Sequence, residues 1–407
     1  MSTALPVADA PNLERAQRTA LIAAAVGVVV FLIIAFTPLA GDFPLTQAFT
    51  SYLVGYIFWF GVPMGCLVVL MIQYLSGGAW GVLLRPVLEA CVRTLPLLAV
   101  LFVPVCISFF MGSSSPYPWA RPLDSVAVGD ALDELKALAW LMNPWFVMGR
   151  SVLYYAVFLI LAYCMLTWSA WWRRGDAAAG ERLPGLSGPG LVFYGVFMTF
   201  AAIDWVMSLE PFWVSSIFPP IVAMGQINSG FATATAIIIL VSGYPPLRGR
   251  VLPKHLRDFG GLLLTFVIFW TYFAFSQFII IWAGNLPEET TYYLKRSEGG
   301  WYWTGPVLIV FRFGVPFLLL LFRDVKDHGP RLFWVAIGIL VMQFFDTLWW
   351  IEPSFPHEGS SCYWLLDIAA FVAIGGVWVW RLAQILRQTA LEPVHGPNQC
   401  DPDGERA

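Results

Sequence analysis

Charge is scarce in this 407-residue chain: only 12% of its residues are Asp, Glu, Lys or Arg, against about 25% in soluble proteins. Too few charged groups remain to cover a water-facing surface. The net charge of −3 gives no electrostatic footprint for nucleic acid. Histidine is scarcer still. By sequence, His255, His328, His357 and His395 fall in polar connections or the tail, so no span is expected to offer an imidazole to a b-type haem. The six cysteines contain no C-x-x-C pair, and Cys66, Cys91, Cys106 and Cys164 sit in apolar stretches. That spacing argues against an iron–sulfur or zinc site. Only Cys362 falls in an outer segment, so no disulfide framework is expected. What is abundant is apolar: 58% of residues are hydrophobic, with 20 Trp and 32 Phe, which excludes disorder. The composition is that of a polytopic membrane protein.

Stretches of about 20 apolar residues, the length that crosses a bilayer, occur near 20–38, 52–75, 88–112, 146–172, 190–210, 217–242, 258–283, 304–322, 332–352 and 363–386. The first 19 residues are polar, contain Pro6 and Pro11, and lack the basic segment and cleavage site of a signal peptide, so the first stretch is expected as a helix. Seventeen Lys and Arg residues fall on one side of the spans and four on the other, namely Arg121, Lys136, Lys295 and Arg296. The bias predicts both termini in the cytoplasm and the connections 113–145 and 284–303 outside. In the first of these, Asp130 precedes Leu132, Leu135, Leu138, Ala139 and Met142 at helical spacing. A short interfacial helix near 130–142 is expected, either docking a partner or shielding the bundle end.

An internal repeat organises the spans. Span five ends in Asp204-x5-Glu210-Pro211 and span nine in Asp346-x5-Glu352-Pro353, both reading D-x5-E-P. Span four begins Pro144-x5-Arg150 and span eight Pro306-x5-Arg312. The two copies lie four helices apart and so share one orientation. The expected fold is therefore an all-α polytopic membrane protein of about ten transmembrane helices, with two tandem parallel four-helix bundles plus two peripheral helices. Its expected segments are a tail at 1–19, a peripheral helix and outer loop at 20–51, the first bundle at 52–216, the second at 217–361, a peripheral helix at 362–387 and a tail at 388–407.

Ionisable groups inside a bilayer cost about 2.5–3.5 kcal/mol each on insertion scales and so face partners. Matching depths at about 1.5 Å per residue predict the contacts Arg150–Asp204 and Arg312–Asp346. Glu210 and Glu352 would lie about 9 Å farther out, rotated about 240° from the aspartates, with Asp367 in the same layer. This outer layer either exchanges protons, with Glu210 and Glu352 as its mouth, or merely stitches helices together. Gln226, Asn228, Thr265, Tyr272, Ser276 and Gln277 are either a polar file or quinone pocket, or ordinary interhelical contacts. Glu89 and Arg93, four residues apart, are either an interfacial ion pair or a proton entry.

The stretch Ser276-Gln-Phe-Ile-Ile-Ile-Trp-Ala-Gly-Asn-Leu-Pro-Glu-Glu289, followed by Gly300-Trp301, Phe313-Gly-Val-Pro-Phe317, Arg323 and Lys326, resembles the NrfD/polysulfide-reductase-like membrane subunits of bacterial alternative complex III. Length, ten spans and tandem bundles are similar to the ActF type. The resemblance implies a subunit of a quinol:electron-acceptor oxidoreductase in the bacterial inner (cell) membrane. It also implies quinol or menaquinol as reductant, an ActC-like sister subunit, and iron–sulfur and multihaem c-type partners that carry the haem c and clusters. This chain itself is expected to hold no redox cofactor. In the family the quinol site belongs to the sister subunit, which is similar in the same motif but has a histidine near the place of Arg312. Arginine stays protonated and cannot take a quinol proton. The expected role is anchoring outer redox subunits and conducting protons, with Asn285, Glu288 and Glu289 docking a partner or simply forming solvated loop charge. The alternatives are a quinol-oxidising NrfD-like subunit with its own pocket near helices six to eight and Asp346 as base, a secondary transporter, and a purely structural scaffold. Parallel repeats and charges gathered in the outer third speak against the transporter.

Overall fold

The computed structural model describes residues 11–37, 44–78, 80–122, 136–137, 139–245, 247–355 and 363–389. Among these residues all regular structure is helical, and ten helices are long and apolar enough to cross a membrane. They are α1 Pro11–Ala35, α2 Pro44–Ser76, α3 Trp80–Ser108, α4 Pro144–Arg173, α5 Ala177–Trp205, α6 Phe218–Val241, α7 Pro253–Gly284, α8 Gly300–Leu321, α9 Gly329–Ile351 and α10 Tyr363–Gln388. The chain is an all-α polytopic membrane protein. Most of the interfacial segment expected near 130–142 lies outside the described residues, as do Cys362, His357, His395 and nearly all of 388–407.

Local chemistry sets the helix ends. Asn143 caps α4 by accepting the Trp145 N–H at 3.0 Å, and Asp176 caps α5 by accepting from Ala179 at 3.2 Å, which satisfies donors that a helix start leaves free. At the start of α7, His255 accepts the Leu252 N–H at Nδ1, 3.2 Å away. His255 is thus a buried residue of the first turn of α7, not part of a polar connection as its surroundings in sequence suggest. Asn285 ends the same helix in the left-handed region, at φ 47°.

Prolines explain the irregular spans. α3 is three pieces, Trp80–Val92, Leu95–Leu101 and Val103–Ser108, because Pro96 and Pro104 bring no N–H to close the preceding turns. In α8 the stretch Leu308–Gly314 is π-helical. Pro316 lies four residues after Arg312 and cannot donate to its carbonyl, so the wider register takes over around that arginine. Hydropathy marks only apolar centres, and several helices run farther than expected. α5 starts at Ala177 rather than 190, passing through Pro184 and Pro189. α1 starts at Pro11, so residues 11–19 are helix rather than tail.

α2 is the centre of the molecule. Of its apolar stretch 94% is buried, against 28% for α1 and 22% each for α7 and α8. Helices α2, α3, α4 and α5 pack each on the next around one ring, and α6, α7, α8 and α9 do the same around a second. The rings join along α2 and α6. α10 is less peripheral than expected: it packs on both α1 and α2, half of its apolar stretch is buried, and its Asp367 points inward.

Candidate functional site

The two repeats place their charges by the same elements but not in the same state. In the first ring, Arg150 of α4 clamps Asp204 of α5 with two bonds, Nε to Oδ2 at 3.0 Å and Nη2 to Oδ1 at 2.8 Å. Tyr154, one turn after Arg150, donates to Oδ2 at 2.7 Å, and Phe146 stacks beneath the guanidinium at 4.7 Å. This carboxylate thus accepts three hydrogen bonds. Its arginine is 18% exposed.

The second ring is looser and drier. Arg312 of α8 reaches Asp346 of α9 through Nη2 alone, at 3.1 Å, and both side chains are only 2% exposed. The same Nη2 donates to Gln343 Oε1 at 2.6 Å, and the guanidinium lies 4.0 Å from the Trp270 ring centre. Its Nε and Nη1 have no hydrogen-bond partner among the described residues. A fork able to make five bonds is therefore left partly unsatisfied inside the protein. The π turn of α8 rotates Arg312 relative to an α-helical register and gives a physical reason for the lost second bond.

Beside this pair opens a cavity of about 680 Å³. Trp270, Ala274, Gln277 and Phe278 of α7 form one wall, Leu308, Ile309 and Phe313 of α8 another, and Asp346, Trp349 and Trp350 of α9 the inner end. Tyr292, Tyr293 and Arg296 close its outer side. Gln277 donates to the Tyr293 hydroxyl at 3.3 Å and accepts from Ser215 at 3.2 Å. Burial pushes the Tyr293 phenol up to about 12, so it remains neutral. Arg296 is fully buried and donates to the carbonyls of Tyr292, Trp349 and Trp350 at 2.9–3.0 Å, tying the outer connection to the end of α9. Its desolvation lowers the guanidinium from its ordinary value, with Tyr292 and Glu210 acting in the opposite direction.

The outer glutamates differ from expectation. α5 ends at Trp205 and a 3-10 turn, Met207–Leu209, carries Glu210 away from the helical path. Glu210 accepts from Lys295 Nζ at 2.6 Å and faces Arg296 at 4.0 Å. Glu352 is fully buried and so is no mouth. It accepts from Gln47 at 3.2 Å and faces the carboxyl of Asp367, which accepts from Ser51 at 2.5 Å.

The other candidates scatter. Gln226 is buried and accepts from Tyr194 at 2.8 Å; Asn228 is buried with Oδ1 unpartnered among the described residues. Thr265 and Tyr272 point outward from α7 and Ser276 is half-buried, so these three make no inner file. The buried face of α7 runs instead through Phe259, Leu263, Phe266, Trp270 and Gln277. Asn285 is a helix cap, and Glu288 and Glu289 lie in the first turn of the short helix Pro287–Lys295, where carboxylates suit the helix dipole. Glu89 is buried and its near partner is Arg173 of α4 at 2.6 Å, with Arg93 at 4.0 Å. The residues that sequence reasoning passed over are Tyr154, Gln343 and Trp270. Tyr154 and Gln343 had a readable signal, one turn from Arg150 and Asp346 on the same helix face; Trp270 had none.

Among the described residues there is no group of three or more His, Cys, Asp or Glu side chains placed to hold a metal ion. No protein-family model matches the chain, and no curated protein matches it.

Proposed function

We propose that this chain is the membrane subunit of a quinol-oxidising complex of the alternative complex III type, and that its outer half passes protons. The observation that carries the reading is the duplicated Arg–Asp pair, Arg150–Asp204 and Arg312–Asp346, set at one depth in two parallel four-helix rings. A purely structural stitch needs no such repetition of buried charge, because buried ion pairs are poor sources of stability. The resemblance around Ser276–Glu289 supports the complex, with iron–sulfur and haem c centres on outer partner subunits, and the arginine bias supports a location of the pairs in the half of the membrane away from the cytoplasm. Protons released by quinol oxidation in an ActC-like sister subunit would meet a carboxylate layer here, and Asp346, which its arginine reaches through one nitrogen only, is the group freest to exchange.

One observation favours a second reading, in which the chain itself takes a quinol. The 680 Å³ cavity is lined mostly by apolar and aromatic side chains and ends at Asp346, as a ring-binding pocket should. Gln277 and Tyr293 supply hydroxyl and amide partners near its mouth. Asp346 would accept the quinol proton, since Arg312 stays charged.

Extraction from native membranes in mild detergent tests both. Mass spectrometry should find iron–sulfur and c-type haem proteins with the chain, and the optical spectrum should show haem c. A colourless chain that comes out alone contradicts the complex. Quinone that photolabels α7 or α8 places the second reading ahead of the first.

A further inference from the structure

Where α2 of the first ring meets α6 and α9 of the second lies a small cavity of about 10 Å³, room for one water molecule. Residues of these three helices line it, and every one of them is buried. Its polar side chains are Gln226 and Ser229 of α6 and Gln343 and Thr347 of α9, none more than 4% exposed. Two glycines of the lining, Gly61 and Gly225, leave the glutamines their space. A Cβ on Gly225 would lie 2.8 Å from Gln343 Oε1, and one on Gly61 would lie 3.2 Å from Gln226 Cγ.

The hydrogen-bonding capacity of these four side chains is complementary to a water molecule. A guanidinium has only donors, so the Gln343 atom that Arg312 meets at 2.6 Å is Oε1, and the amide nitrogen must find its acceptors elsewhere. That nitrogen reaches Thr347 Oγ1 at 3.5 Å, a length at which the bond is weak. Gln226 repeats the pattern: its Oε1 accepts from Tyr194 at 2.8 Å, and its nitrogen meets the Met198 sulfur at 3.4 Å, a poor acceptor. Each amide nitrogen carries two N–H groups, so both glutamines are short of good acceptors among the described residues. The hydroxyls are in the opposite position. Ser229 donates to the Gly225 carbonyl at 2.7 Å and Thr347 to the Gln343 carbonyl at 2.9 Å, which commits each proton and leaves lone pairs to accept. We propose that the cavity binds a single water molecule, which accepts from the amide nitrogens of Gln226 and Gln343 and donates to the hydroxyls of Ser229 and Thr347. The water closes one run of hydrogen bonds from Arg312 through Gln343 on α9 to Gln226 on α6 and on to Tyr194 of the first ring. The site has no counterpart in the first repeat: Gln343 stands three residues before Asp346, and Ala201 stands three before Asp204.

The site is independent of any proton or quinol role. Its test is an experimental density map of the full chain, purified in mild detergent, at a resolution that shows ordered water. A single non-protein peak is expected in the cavity, about 2.7–3.2 Å from both Gln226 Nε2 and Gln343 Nε2. No peak there, or a peak within reach of only one glutamine, would overturn the proposal. A pair of variants gives a second readout. Ser229→Ala removes one acceptor of the water, whereas Ser187→Ala removes a hydroxyl that is equally buried and bonds the Leu183 carbonyl at 2.7 Å but lies outside the cavity lining. Ser229→Ala should weaken or abolish the peak and lower the thermal midpoint more than Ser187→Ala. Equal lowering by the two variants, with the peak intact in Ser229→Ala, would contradict the assigned contacts and overturn the site as described.

Discussion

Asp346→Ala is expected to destabilise the folded chain by about 3–5 kcal/mol, the cost of stranding one member of a buried ion pair. Arg312 has nowhere to take its charge: it is 2% exposed, already leaves Nε and Nη1 unpartnered among the described residues, and would keep Gln343 as its only polar contact. Asp204→Ala should cost clearly less. Arg150 is 18% exposed and can carry its head toward the interface along its own stem. The double change Arg312→Met with Asp346→Ala should recover at least half of the loss, because an apolar pair of similar volume removes both charges together. Thermal midpoints of the native chain and the three variants, purified in detergent, decide the matter. Equal losses at Asp204 and Asp346, or no recovery in the double variant, would mean that the two pairs do not differ in burial as described.

Gly65→Ala is the second large effect, and its origin is backbone rather than charge. A Cβ on Gly65 of α2 would lie 1.8 Å from the Gln226 carbonyl oxygen and 2.4 Å from its carbon on α6. From the other side, a Cβ on Gly230 would meet Cys66 N at 2.4 Å. These two glycines let the central helices of the rings touch, the small-residue contact that membranes favour in place of a hydrophobic drive. No rotamer relieves a clash with a main-chain carbonyl, so the cost should reach or exceed the upper end of the about 1–3 kcal/mol typical of overpacking. Gly195→Ala on α5 meets nothing within 4 Å and should be neutral or slightly stabilising, since Ala outranks Gly in helices. Thermal midpoints of the two variants should separate widely. Similar midpoints would remove the α2–α6 contact from the account of how the rings join.

Much of this was legible in the chain because hydropathy and a motif repeat are both one-dimensional signals. The ten spans needed only apolar run length, and the contacts Arg150–Asp204 and Arg312–Asp346 needed only depth along paired helices. Rotation about a helix was harder to read. Thr265, Tyr272 and Ser276 share a face by spacing, yet that face turns away from the ring, because spacing gives a face without saying what it meets. The loss of equivalence between the repeats was also hidden. D-x5-E-P looks the same twice, but α5 uncoils before Glu210 while α9 continues to Ile351, and Asp367 from α10 meets only the second copy. Pro316 was the one visible hint that α8 leaves the α register at Arg312. Glu89 likewise showed its sequence neighbour Arg93, whereas its nearer partner Arg173 arrives from another helix.

The proposed proton role stands or falls on one ratio. With the complex reconstituted in sealed vesicles, protons released on the outer side should be counted per quinol oxidised, in the native protein and in Asp204→Asn and Asp346→Asn. If the Arg–Asp layer passes the quinol's protons outward, both variants should keep oxidising quinol while the ratio falls below the two protons that each quinol yields, with Asp346→Asn falling further. Fully assembled variants with an unchanged ratio would contradict the account and leave the duplicated pairs as joints between helices.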